Sequence, residues 1–277
     1  MTTAAGAAPA DAKRFRIGGV ITNVMRLWGR HIVVLVLLGV LIDWIPVMAF
    51  NYGAPPFLHR FVPAGDYRGA FGLGRAISDA LISQTLDVSV ALVVLSPATA
   101  LKEMFGRVLG QIASVFPSIV LLSLFFESIQ IIQALFLFSP TAGDARTRLM
   151  ENGLWSFGLL GFMIFTAVAF GVASAVLAIE RSGVLATLGR TFRLMSGHRW
   201  SFLGLGVICT IFVGVIAVTA RAFLGRALTA NPIVQAANLF LFSQLAVGWA
   251  MVIAVSYREL TRTKDGWRPA DVADVFD

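Results

Sequence analysis

Apolar residues along this chain fall in long unbroken runs, and the short polar segments between them carry most of the basic residues. A bilayer core of about 30 Å needs ~20 apolar helical residues to cross it. The pattern predicts six spans, at residues 32–50, 80–100, 119–138, 154–179, 202–220 and 233–257. The second contains Asp87 and Pro97, so a re-entrant or interfacial segment is its alternative. Residues 1–16 read as a disordered tail without the apolar region of a secretory signal, 17–260 as the membrane domain, and 261–277 as a flexible cytoplasmic tail.

Two stretches change period. In residues 183–196, Val184, Leu185, Leu188, Phe192 and Met195 recur at helical spacing while Thr187, Arg190 and Arg193 fall opposite. Ser182 is a fitting N-cap and Gly197 a fitting stop. The pattern predicts an amphipathic helix lying along a membrane surface. Residues 17–29 predict a second one, in which Val20, Ile21, Val24, Leu27 and Trp28 share a face that leads directly into the first span.

Composition agrees with the pattern. Of the 277 residues, 57% are hydrophobic and 13% charged, where soluble domains carry about 25% charged residues. The fold class expected is all-α, a polytopic transmembrane bundle. With six spans, 15 of the 22 basic residues fall on the side that holds both termini, which assigns both to the cytoplasm of a bacterial inner membrane. The net charge of +7 is spread over segments flanking the apolar runs, so the partners expected are anionic lipids and not nucleic acid; no protein partner is specified.

Catalytic signatures are absent: no GxSxG, HExxH, CxxC or Walker loop occurs, Cys209 is alone, and His31, His59 and His198 are far apart. No catalytic residue, metal ligand or cofactor is expected. The chemistry-bearing residues are acids inside apolar runs. Asp43, Asp87 and Glu127 have no Lys or Arg within the predicted spans, and each ionised carboxylate at mid-membrane costs about 2.5–3.5 kcal/mol. With Gln130, Gln133 and Gln244 they outline a polar cleft, either a proton- or cation-linked path or interhelical hydrogen bonds that fix packing. Counting along the spans places Asp43 and Asp87 at similar depths. Small-residue stripes, Ala167/Gly171/Ala175 and Gly206/Thr210/Gly214, predict close helix approach. The Pro- and Gly-rich residues 51–75 read as an outer loop.

The segment from Gly18 slides without a gap onto that from Gly106, and residues 180–200 occupy the corresponding place before the fifth span. Three repeated units, each a surface helix followed by a hairpin, would account for this; chance similarity between apolar helices is the alternative.

The segment ERSGV…TLGRTFRLMSGHRW before a span, the ending AVSYREL and the opening RIGGVITNVMRLWGRH resemble the six-helix family named after the membrane domain of glycerophosphoryl diester phosphodiesterases. The resemblance covers most of the chain and implies a stand-alone membrane domain without the phosphodiesterase's soluble barrel. The function expected is non-enzymatic and lipid- or partner-linked, with Arg190, Arg193, Arg199, Arg26 and Arg30 meeting anionic headgroups. A small transporter using the intramembrane acids is the alternative, and an intramembrane enzyme is disfavoured for lack of a nucleophile and base at one depth.

Overall fold

Three helical stretches have no exposed side, and the remainder is arranged about them. They are residues 86–94, 172–179 and 250–257, in each of which every residue is buried. A helix buried all round must be apolar or small on every face, and these segments are built from Val, Leu, Ile, Ala and Ser, with Asp87, Met251 and Tyr257 the notable exceptions. Small residues such as Ala91, Ala175, Ala254 and Ser174 let the backbones approach closely.

The computed structural model describes residues 15–58, 67–95, 101–138, 154–225 and 231–265, for parts of 54–73, 101–102 and 127–163 as backbone alone. The described residues form α1 (Ile17–Leu38), a π-helical turn (Gly39–Trp44), α2 (Ile45–Leu58), α3 (Tyr67–Leu95), α4 (Leu101–Phe138), α5 (Leu154–Phe170), α6 (Ala173–Glu180), α7 (Val184–Met195), α8 (Arg199–Leu224) and α9 (Pro232–Asp265). The central helix is α3, packed against α4, α6, α9 and the π turn. Helix α9 also packs against α1 and α6. Asn231 starts α9 by accepting the amides of Ile233 and Val234 on its side-chain oxygen, with Pro232 in the first turn where no amide is needed.

Five helices are long and apolar enough to cross a membrane among the described residues: Ile17–Gly53, Gly74–Leu95, Glu103–Phe126, Arg199–Leu224 and Pro232–Lys264. Outward faces carry exposed apolar side chains, among them Val33, Leu121, Ile211, Phe212 and Val218, as a bundle surrounded by hydrocarbon requires. Several hydroxyls inside are satisfied locally: Ser89, Ser123 and Thr261 donate to the carbonyls of Thr85, Ile119 and Tyr257, four residues back.

Several sequence expectations need correction. The doubtful second span is helical and the most enclosed of the candidates, beginning earlier than predicted; it is described as far as Leu95, and residues 96–100 of the predicted span lie outside the described residues. The expected loop at 51–75 is helical up to Leu58 and again from Tyr67; residues 59–66 lie outside the described residues. The third run does not begin at residue 119, because α4 is one 38-residue helix that continues through Pro117. Helix α9 runs on to Asp265, so residues 261–265 are not tail; Thr261 is buried.

The fourth predicted span is two helices. The chain leaves helical geometry at Gly171 and Val172, the latter at φ −109° and ψ 15°, and restarts as α6. The cause is contact with α8: a Cβ on Gly171 would stand 2.3 Å from the Phe202 ring and 2.4 Å from the Ala167 carbonyl. The small-residue stripe of this run therefore marks a break, and that of α8 is exposed at Thr210 and Gly214, with Gly206 half-buried near the Trp249 ring. Helix α1 bends too, at His31 (φ −116°, ψ 18°), which divides its amphipathic first half from its apolar second half.

Gly171→Ala should destabilise the protein by about 1–3 kcal/mol, the usual cost of overpacking. Thermal unfolding in detergent checks this, and combining it with Phe202→Leu should cost less than the two changes made separately.

Candidate functional site

Polar chemistry concentrates in two places, one at each end of the bundle. At the first, a turn in which Arg181 adopts a left-handed φ of 47° sends the chain from α6 into α7. Glu180, just before it, accepts a hydrogen bond from Arg190 Nε at 3.1 Å and another from the Tyr257 hydroxyl at 3.2 Å. That carboxylate ties α6, α7 and α9 together. Lys264 Nζ donates to the Arg193 carbonyl at 2.7 Å, holding the far end of α7 to α9. The Arg199 guanidinium lies 4.2 Å from the centre of the Phe192 ring, in a cation–π contact. Phe15 is buried against His198, with ring centres 6.2 Å apart.

Burial on α7 departs from the predicted faces at Thr187 and Met195, while the exposure of Leu185 and Phe192 is that of side chains expected to meet hydrocarbon. Thr187, Thr191, Leu194 and Met195 are buried, whereas Leu185 and Phe192 are exposed. Thr187, placed on the headgroup side by its polarity, is buried with its hydroxyl 2.9 Å from that of Ser182. Ser182 thus meets a side chain instead of capping the helix, while Gly197 (φ +87°) ends the turn as expected. Of the five arginines expected at headgroups, Arg26, Arg30 and Arg193 are exposed, Arg190 pairs with Glu180, and Arg199 stacks on Phe192.

At the opposite end, α2, α3, α9 and the π turn are cross-linked by polar side chains. Trp44 Nε1 donates to the Ala236 carbonyl at 3.0 Å and Tyr52 to Gln235 at 2.6 Å. Arg75 bridges Asn51 at 3.0 Å and Asp79 at 3.4 Å. Within the π turn, the Gly39 carbonyl accepts from Ser243 Oγ at 2.8 Å. The Ser243 hydroxyl also lies beside the Asp43 carboxylate, and Asp79 is within electrostatic reach of it.

Asp43 and Asp87 therefore have separate surroundings. Asp43 and Gln244 meet at the π turn, through Gly39 and Ser243. Asp87 lies eight residues beyond Asp79 on α3, about 12 Å along the axis, where Ser174 Oγ donates to Oδ2 at 3.5 Å just past the break between α5 and α6. The side chains of Glu127, Gln130 and Gln133 are outside the described residues. Sequence reasoning missed Asp79, Ser174, Ser243 and Gly39. The four-residue spacing of Arg75 and Asp79 could have placed both on a helix; nothing local marks Gly39. Among the described residues no group of three or more His, Cys, Asp and Glu side chains is placed to hold a metal ion.

Burial, and secondarily the Lys264 ammonium, lowers the pKa of His198 from its ordinary value of 6.5. A base with a depressed folded-state pKa destabilises the fold as pH falls through the unfolded value, and is without effect above it. Thermal midpoints measured near pH 7.5 and about pH 5.5 should fall on acidification, and the drop should shrink in His198→Gln. Equal drops in both proteins would remove His198 as a contributor. No family model matches this chain, and no match to it was found among curated proteins or solved structures.

Proposed function

We propose that this chain is a non-enzymatic integral protein of a bacterial inner membrane, with six spans in three related units and both termini cytoplasmic, that engages anionic lipid headgroups through a basic collar. The resemblance to the phosphodiesterase membrane-domain family belongs to the same reading. The observation that carries it is a shared design in α1 and α7. Each has an exposed apolar residue next to an exposed arginine, Met25–Arg26 and Phe192–Arg193, just before a hinge at His31 or at 196–198.

The burial pattern supports relating the units. Val20, Val24, Leu35 and Leu38 are buried in the first, and Thr187, Thr191, Phe202 and Leu205 are buried at the same spacing in the last. Arg26-Leu27 precedes His31 as Arg193-Leu194 precedes His198. In α4, Val108 and Leu122 hold the places of Val20 and Val34, Pro117 falls near the hinge, and Arg107 and Leu109 are exposed. The three fully buried segments would then be the second helices of the units. Under this reading the fourth apolar run crosses as the broken pair α5 and α6.

An exposed arginine beside an apolar side chain fits the boundary between headgroups and acyl chains, and each basic residue near an anionic surface is worth about 1 kcal/mol. In Arg26→Glu/Arg193→Glu, the extra thermal stability conferred by phosphatidylglycerol over phosphatidylcholine should fall by at least half. An unchanged lipid preference would defeat the collar.

A second reading, a small proton- or cation-coupled transporter, is favoured by the break at Gly171–Val172 beside Asp87, because transporters place their sites at discontinuous helices. It expects carbodiimide labelling of Asp87 that declines as pH rises. Absence of labelling at every pH tested would return Asp87 to a packing role.

A further inference from the structure

The π turn at Gly39–Trp44 is an irregularity within Ile17–Gly53, the longest candidate span among the described residues. Such turns recur at functional sites because they displace a carbonyl from the regular ladder and widen the helix. Here the turn opens with a glycine pressed against α9. A Cβ at Gly39 would lie 2.7 Å from Gln244 Nε2, 3.0 Å from Val247 and 3.2 Å from Ser243 Oγ.

Among the described residues Gln84, Gln111, Thr191, Arg199 and Ser256 each keep one buried side-chain polar atom without a partner, and Gln244 differs from them in keeping two. Both atoms of its amide are shut off from solvent, and neither has a hydrogen-bond partner. Nearly all buried polar groups are partnered, and each one left bare costs about 1–3 kcal/mol. An amide placed against a glycine with both ends unsatisfied points to a ligand.

The surrounding groups indicate its chemistry. Ser243 donates to Gly39 and still has lone pairs to offer. Asp43 has no ion-pair partner among the described residues, whereas Asp79 carries its own cation in Arg75. The donors are all oxygens, and only one negative charge is uncompensated. Hard oxygen ligands without nitrogen or sulfur suit a hard cation, and a single carboxylate balances a monovalent one.

We propose that the junction of the π turn with α9 binds a sodium-sized cation through the Asp43 carboxylate, the Gly39 carbonyl, the Ser243 hydroxyl and the Gln244 amide oxygen. This goes beyond the lipid reading, since the site lies at the end of the bundle opposite the basic collar. It requires no transport, only that the ion stabilise the turn.

Trp44 provides a local reporter, because it lies in the turn, bonds to Ala236 and packs edge-on against Phe240 with ring centres 6.3 Å apart. The full-length protein in detergent is titrated with sodium chloride against choline chloride and potassium chloride at constant ionic strength, and the fluorescence lost in Trp44→Phe is followed. The expected result is a saturable change with sodium that choline does not reproduce, at least tenfold weaker in Asp43→Asn and in Gln244→Leu. Equal responses to sodium and choline would overturn the site, and an equal response to potassium would overturn the ion's size. Wild-type affinity in both variants would likewise refute it. If Gln244 only packs, Gln244→Leu should raise the thermal midpoint and leave the sodium response intact, which also counts against the proposal. Should either variant fail to fold, the comparison of sodium with choline on the wild-type protein alone decides.

Discussion

Close packing of three helices around α3 is the constraint on which the other features depend. In hydrocarbon, burying apolar side chains gains little over leaving them in lipid, so association depends on dispersion contacts and interhelical hydrogen bonds. Segments 86–94, 172–179 and 250–257 meet that requirement with alanine, serine and β-branched residues, which allow short backbone separations. Most hydroxyls brought inside find an acceptor, through the back-bonds of Ser89 and Thr261 and the Ser174–Asp87 contact, whereas those of Ser256 and Thr191 have none. The core is concentrated towards the end where Glu180 and Lys264 lie. The peripheral α8 presents most of its length outward, and only Phe202 and Leu205 in its first turns are buried.

The apolar runs were legible because a membrane helix satisfies its backbone internally and so needs only length and hydropathy. The errors came where tertiary contact decides. Asp87 made the second run look doubtful, yet its carboxylate is accommodated beside Ser174, a neighbour far away in sequence. Gly171 looked like one more small residue in a stripe, and only the ring of Phe202 reveals why the helix stops there. The inward face of α7 could not be read from periodicity, since lipid and protein interior both accept apolar groups; Thr187 is buried because Ser182 meets its hydroxyl. The stretch GVLIDW reads as ordinary helix, and no local signal announces the π turn.

The two ends differ in kind. One is cationic and held by a carboxylate hub at Glu180, with exposed arginines beside exposed apolar side chains. The other is stitched by aromatic and amide groups, with a buried amide lacking a partner. The packed core of segments 86–94, 172–179 and 250–257 separates the two.

The π turn also sets the rotational phase of α2. One residue beyond regular helical count rotates all later side chains by about 100° around the axis. Trp44, Asn51 and Tyr52 reach α9 and α3 only because of that offset. Deleting a single residue from 39–44 would leave the chain apolar and helical, yet it would swing this whole row of polar side chains away from its partners and into the acyl chains.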